Sequence, residues 1–355
     1  MGVARMSPLL VTPFSSPLNV EMGSSPSSLG SKVLFRSTST DDLELLPKIL
    51  VLGCMDSGKT TLCRQLVKYS RTGNLELEFY THTVHQYLIQ VYRQLEVQIL
   101  ELEIEMLPQY MEDFRVLSEF RHRESLNSSV QESLTRLFRS GLHEACVAAN
   151  RHMPKMLKNY QYFLKNTERI LGQGYVPSEL DVLLSYAPTC GLSDYMVRSG
   201  HDRFRLLELP GHHIARRYWS DFYKGTAAVF FLVDLAELCD PEFIDGYLKD
   251  KALKVYKEIL AHELLSNAGI IIFLNRVDIF EEKSLAMKFE RLANHIHTSE
   301  EAISYYRSQF LAISPKGRTY HHITNLVNPG SNVGNLVQDS LTKIFRHNKE
   351  NVKPT

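Results

Sequence analysis

The chain holds 355 residues, with 40 lysines and arginines against 40 aspartates and glutamates, and 44% of it is hydrophobic. That length accommodates two or three domains with a sizeable core, and the balanced charge excludes nucleic-acid or polybasic membrane binding as the main activity. Cys54, Cys63, Cys146, Cys190 and Cys239 are scattered without a CxxC pair, the pattern of free thiols in a reducing compartment rather than of disulfides or a zinc site. No apolar run reaches the ~18 residues of a membrane-spanning helix, and Met1–Val11 lacks a secretory apolar region, so a soluble intracellular protein is expected.

In chain order, residues 1–44 are rich in Ser and Pro without helical period and read as a disordered tail. Residues 48–53 (KILVLG) form a short apolar strand running into a glycine, and Thr61–Tyr69 reads as the helix after it. Val84, Leu88, Val91, Leu95, Ile99 and Leu102 then recur at helical spacing, and Leu134–Ala149 and Met156–Ile170 follow the same rule. The period is too short for a convincing coiled coil, so residues 67–174 are expected to form a small helical domain with its own core. Beyond Tyr175 strands and helices alternate. Tyr195–Ser199 and Phe204–Leu209 flank a hairpin turn at 200–203, and Ala227–Asp234, Ile270–Asn275 and Phe310–Ile313 read as buried strands. Helices are expected near Tyr247–Leu265, Ser284–Leu292, Ser299–Ser308 and Leu336–Phe345. The alternation implies an α/β fold, a mostly parallel sheet with helices on both faces, interrupted after its first helix by the helical insert.

The strongest chemical signal is Gly53, Cys54, Met55, Asp56, Ser57, Gly58, Lys59 and Thr60, which match G-x-x-x-x-G-K-[ST] between a strand and a helix. In that context loop amides wrap phosphates, Lys59 neutralises β/γ oxygens, the Thr60 hydroxyl binds Mg²⁺, and the helix N-terminus around Thr61 faces the anion. The second signal is Asn275, Arg276, Val277 and Asp278 after an apolar strand. There a carboxylate accepting two guanine N–H groups selects guanine over adenine, Asn275 would tie this loop to the phosphate loop, and the Arg276 stem would cover the base. Taken alone this motif is also compatible with a capped strand-to-helix turn.

Together these motifs resemble the alpha subunit of heterotrimeric G proteins, over nearly everything from Lys48 to Thr355. Residues 175–183 (YVPSELDVL) are similar to the family's passage from helical insert to first switch, Glu208-Leu209-Pro210-Gly211-His212 stands at its second switch, and Trp219 follows at the family's spacing. Residues 273–280 (FLNRVDIF) match closely, and His321-His322-Ile323-Thr324 falls at the second guanine loop. The resemblance implies a Ras-like P-loop GTPase fold, with a mostly parallel six-stranded sheet over 45–66 and 175–355. It also implies GTP/GDP and Mg²⁺ as ligands, a role as a switch in receptor signalling, and nucleotide contacts from Leu183, Leu184, Ser185, Tyr186, Ala187, Pro188, Thr189 and Ile323. Thr60 and Thr189 are the implied metal ligands.

The two catalytic positions depart from the family. Tyr186 stands in place of its switch arginine and His212 in place of its glutamine, while Met55 replaces a small phosphate-loop residue. Such an arginine is worth ~10³–10⁵ in rate, so intrinsic hydrolysis is expected to be slow unless a partner supplies the charge. Glu208 replaces an aspartate, Pro210 and Pro188 stiffen the switches, and no metal site is expected at His212-His213 or His321-His322. The partners implied are a beta-gamma dimer through Arg216 and Trp219, a receptor and an effector. Gly2 with Met6 fits a myristoylation start poorly, which leaves lipid anchoring and an N-terminal beta-gamma contact doubtful in a cytoplasmic protein working at the inner membrane face. The alternative readings are a scaffold that does not turn over nucleotide and, more weakly, a phosphotransferase.

Overall fold

The computed structural model describes residues 46–70, 77–121, 125–149, 156–157, 159–185, 191–199, 202–239, 251–285, 287–289, 292–328 and 330–351. The expectations placed on the tail and on Tyr186, Ala187, Pro188, Thr189 and Cys190 lie outside these residues.

The centre is a six-stranded sheet in the order β2-β3-β1-β4-β5-β6. Its strands are β1 (Lys48–Gly53), β2 (Ser193–Ser199), β3 (Asp202–Glu208), β4 (Thr226–Asp234), β5 (Gly269–Asn275) and β6 (Thr319–Thr324). All neighbours run parallel except β2 and β3, an antiparallel pair with Ser199 opposite Asp202. Side-chain alternation splits the strands between two cores. Leu50, Leu52, Val229, Phe231, Ile270 and Ile272 face the helices Lys251–Leu260 and Ser299–Ile313. Ile49, Val51, Phe230 and Phe273 face the helix α1 (Lys59–Ser70) and the C-terminal helix Val333–Asn351. Burial on both faces explains why β4 and β5 are continuous apolar runs.

A third core belongs to the helical layer. Its axis is α2 (Thr81–Glu101), whose Val84, Leu88, Val91, Leu95 and Ile99 are all buried. Around it lie α3 (Pro108–Glu119), α4 (Ser128–Phe138), α5 (Leu142–Ala149), α6 (Tyr160–Lys165) and α7 (Thr167–Ile170). Thus α2 is enclosed on several sides, as a bundle requires. The chain returns to the sheet through α8 (Glu179–Leu184).

Four boundaries differ from the sequence reading. The stretch Leu134–Ala149 breaks at Gly141, whose φ of 74° ends α4 before α5 begins. Met156–Ile170 becomes helical only at Tyr160 and divides at Asn166. A helix in this region runs Val277–Ser284, directly after Arg276 turns the chain with a φ of 65°; of the stretch expected to be helical, Ser284–Leu292, residues 286, 290 and 291 lie outside the described residues. Phe310–Ile313 is the end of the helix Ser299–Ile313, not a strand. A Thr298/Glu301 capping box starts that helix, and Ala302, Tyr306 and Phe310 make the stripe it lays on the sheet. The sixth strand is instead β6, a half-exposed edge that carries two histidines.

Candidate functional site

The phosphate loop leaves β1 and enters α1 without a spare residue. Ser57 Oγ donates to the Cys54 carbonyl at 2.9 Å, and Lys59 Nζ donates to Cys54 at 2.7 Å and Gly53 at 3.2 Å. The lysine is thereby held across the loop it serves, and the first-turn amides of α1 have no acceptor within the helix. Lys59 is only 6% exposed. Burial pushes its ammonium below the ordinary value, and the nearby Glu208 carboxylate opposes that push. Asp56 takes a left-handed φ of 62°, and Met55 projects outward at 45% exposure.

Gly58 shows how tightly the loop meets the second motif. Its φ is +100°, and an added Cβ would stand 2.3 Å from Asn275 Nδ2. Gly58→Ala is therefore expected to weaken nucleotide binding at least tenfold, read by equilibrium titration with a fluorescent GDP analogue. Unchanged affinity would show that this junction does not set the loop.

Asn275 lies at the end of β5 and joins two loops. Its Nδ2 donates to the Ser57 carbonyl at 3.0 Å, while its Oδ1 accepts from the Leu326 amide at 3.3 Å and from Thr324 Oγ1 at 3.4 Å. Arg276 turns its guanidinium back to Asp234, Nη1 to Oδ2 at 2.9 Å. Asp278 opens the next helix, and its Oδ1 is buried without a hydrogen-bond partner. An orphaned buried acceptor beside a phosphate loop fits a ligand carrying N–H donors.

The segment after β3 closes on the same loop. Thr60 Oγ1 donates to Glu208 Oε1, and Tyr195 Oη donates to Glu208 Oε2 at 3.3 Å. A Cβ on Gly211 would meet Lys59 Nζ at 2.5 Å and the Cys54 carbonyl carbon at 2.6 Å, so this glycine is fitted to the phosphate loop. Trp219 Nε1 holds the Pro210 carbonyl at 3.0 Å. His212 caps the short helix α9 (His213–Arg216), Nδ1 accepting from the Ile214 amide at 3.4 Å, and its ring lies tilted against that of His213, centroids 4.3 Å apart.

A family model for the G-protein alpha subunit matches residues 31–343. Similar proteins include the guanine nucleotide-binding protein alpha-2 subunit of Neurospora crassa, 26% identical over 78% of this chain and 82% of that protein. The alpha-9 subunit of Dictyostelium discoideum is 25% identical over 82% of this chain and 87% of its own length. The G(f) subunit alpha of Drosophila melanogaster is 27% identical over 68% and 64%.

The chain belongs to the G-protein alpha subunit family.

As a family member it is a guanine-nucleotide switch and GTPase with Mg²⁺ as its cation. The residues present fit those ligands: Asp278 offers a vacant acceptor to a guanine edge, and Gly58 and Gly211 keep the phosphate loop clear of side chains. Among the described residues no group of three or more His, Cys, Asp or Glu could hold a metal. A cation held by one threonine hydroxyl, phosphates and water needs no such group.

In this alpha subunit the structure brings Gly53–Thr61, Glu208–His212 and Asn275–Asp278 to one end of the sheet, with Leu183, Leu184 and Ser185 arriving through α8. One assignment moves. His321, His322 and Ile323 lie inside β6, opposite Ile272, Phe273 and Leu274, and Ile323 is 42% exposed. The loop that touches Asn275 starts at Thr324 and runs through Leu326. Three contributors escaped the sequence reading. Gln65 Nε2 donates to the carbonyls of Leu326 at 2.9 Å and Asn328 at 3.1 Å, fixing that loop from α1. Asp234 closes an otherwise apolar strand, which was the visible signal for it. Tyr87 of α2 is buried with its hydroxyl proton held more tightly than usual, first by desolvation and then by the nearby Asp56 carboxylate.

Proposed function

We propose that this alpha subunit is a GTP/GDP switch whose own hydrolysis is slow, working with a beta-gamma dimer and a receptor at the cytoplasmic face of the membrane. The observation that carries the nucleotide choice is the pair formed by Asn275, bridging phosphate and base loops, and Asp278 with its buried vacant oxygen. Two N–H donors of guanine satisfy that carboxylate, whereas adenine offers it an acceptor at the corresponding ring nitrogen. Family membership supports the receptor and beta-gamma partnership in general and, through it, the membrane-facing location.

The chain's own residues divide the work plainly. Lys59 neutralises phosphate charge from a desolvated position where each interaction is strengthened. Thr60 would hold Mg²⁺, joined in the family pattern by Thr189, and Glu208 sits behind Thr60. When bound, the cation supplies charge neutralisation at the β/γ oxygens. Hydrolysis is in-line attack of water on the γ-phosphate, giving GDP and phosphate. At that step the residue that should orient water is His212, whose Nδ1 is already engaged by the Ile214 amide. Tyr186 carries no fixed charge for the transition state.

The test is to purify the chain with Mg²⁺, denature it and identify the released nucleotide by chromatography. Retained GTP or stoichiometric GDP supports a switch, and their ratio reports turnover. A site still empty after added GTP overturns the reading. A scaffold that holds no nucleotide is not favoured, because it leaves the Asp278 oxygen and the Asn275 bridge without a role. In the same assay Asp278→Ala is expected to reduce the preference for GTP over ATP by roughly 100-fold, as hydrogen bonds to a charged group contribute about 1.5–3 kcal/mol each. A preference that survives the substitution would place guanine recognition elsewhere.

A further inference from the structure

We propose that Arg64, one turn after the phosphate-binding Thr60 on α1, is a positioning residue that latches the helical layer shut and sets the rate of nucleotide release. The inference rests on the nucleotide-switch reading above and names what controls exit from that site.

Arg64 is a buried arginine, 7% exposed, that pairs with no carboxylate among the described residues. Its Nη1 donates to the carbonyls of Val182 and Ser185, the latter at 2.8 Å, and lies 3.5 Å from Ser185 Oγ. Its guanidinium sits 5.5 Å from the centroid of the Tyr80 ring, at the entry to α2. One side chain from the middle of α1 therefore touches both the beginning of the helical layer and the C-terminal carbonyls of α8. Those carbonyls have no amide donor inside their own helix, although Ser185 Oγ also donates to the Val182 carbonyl at 3.0 Å, and a cation is a favoured partner there.

The attachments of α8 are unequal. Toward the helical layer, the buried Asp181 carboxylate accepts from Tyr162 Oη at 2.7 Å, Tyr175 Oη at 2.9 Å, and Arg169 Nη1 and Nη2 at 2.9 and 2.6 Å. Asn159 Nδ2 also donates to the Leu184 carbonyl at 3.1 Å, while the Ser178 amide bond to Asp181 at 2.7 Å lies within the cap of α8 itself. Toward α1 the described polar ties are Arg64 and the Lys68–Glu179 pair at 2.7 Å. That pair is partly solvated and such pairs contribute little; Val182 adds apolar contact without direction. When the layers part, α8 stays with the helical layer and the joint that breaks is Arg64.

The experiment measures release of N-methylanthraniloyl-GDP from the full chain in excess unlabelled GDP, with the association rate and thermal midpoint taken on the same samples. Arg64→Met is expected to speed release about 10- to 100-fold, the worth of one or two charge-assisted hydrogen bonds. The association rate should change less than about threefold, and Arg64→Lys should recover part of the retention because a cation still reaches one carbonyl. Tyr80→Leu, which removes only the platform, should speed release about threefold and serves if Arg64→Met does not fold. Lys68→Met is the control, with less than a twofold change. Wild-type binding with unchanged release in the folded variants overturns the latch. Faster release that Lys does not relieve, accompanied by an equal fall in association, marks general loosening and overturns it too. Failure of the wild type to bind GDP overturns the switch reading itself.

Discussion

Replacing Tyr186 with arginine and His212 with glutamine together raises single-turnover GTP hydrolysis by about 10³-fold or more, since the arginine alone is worth ~10³–10⁵ in rate. The arginine supplies fixed positive charge where the leaving phosphate oxygens gain negative charge. The glutamine offers water a donor and an acceptor in place of an imidazole committed to capping α9. His212→Gln alone should have the smaller effect, because a positioned water still lacks charge stabilisation. The measurement is phosphate release after mixing preloaded GTP protein with Mg²⁺. A double variant that binds GTP normally and stays at the parental rate would falsify the assignment of slow turnover to these two positions.

The second large effect concerns stability. Asp181→Ala strips the partner from Arg169 and from the hydroxyls of Tyr162 and Tyr175, and removes half of the Ser178 capping box. Asp181 is fully buried, but Arg169 is 43% exposed and is solvated once unpaired. The cost is therefore that of the lost hydrogen bonds to the carboxylate, about 1.5–3 kcal/mol, and the midpoint of thermal unfolding should fall by a few degrees. The same carboxylate predicts an acid limb. Burial pushes its pKa up, but hydrogen bonds from Arg169, Ser178, Tyr162 and Tyr175 outweigh this and hold it at about 2. With the folded value below the unfolded one, Asp181 stabilises the fold fully above the ordinary aspartate range. That contribution fades as pH falls through about 4 and is gone below about 2. Denaturant titrations across this window should show a shallower acid limb in Asp181→Asn than in the parent, and parallel limbs would sink the argument.

The sheet and phosphate loop were legible because their constraints are local. A strand buried on both faces must be continuously apolar, as β4 and β5 are, and a loop that wraps phosphate needs Gly58 and Lys59 at fixed spacing. The sixth strand was not legible. β6 is an edge strand whose His321 and His322 are only half-buried, so it lacks that apolar signature, and the apolar end of the preceding helix took its place in the reading. The resemblance sets the base loop at His321–Thr324, three residues ahead of the segment that meets Asn275. Arg64, Gln65 and Asp181 were invisible for a different reason. Each acts on backbone or side chains more than a hundred residues away or across a turn that only the fold closes, and no spacing rule encodes such a partner. Gly141 shows the opposite case, a local signal present in the sequence and passed over within a helical period.

The placement of α1 constrains how this protein can vary. Within one helix, Lys59 and Thr60 serve the phosphates, Arg64 the return from the helical layer, and Gln65 the base loop. A rigid helix moves these four side chains as one body, so there is no separate adjustment for each. Tilting α1 to favour one contact displaces the others together. Across a panel of core substitutions beneath it, at Leu62, Cys63 and Leu66, nucleotide affinity, residence time and preference for guanine should therefore rise and fall along a single line rather than scatter as three independent traits.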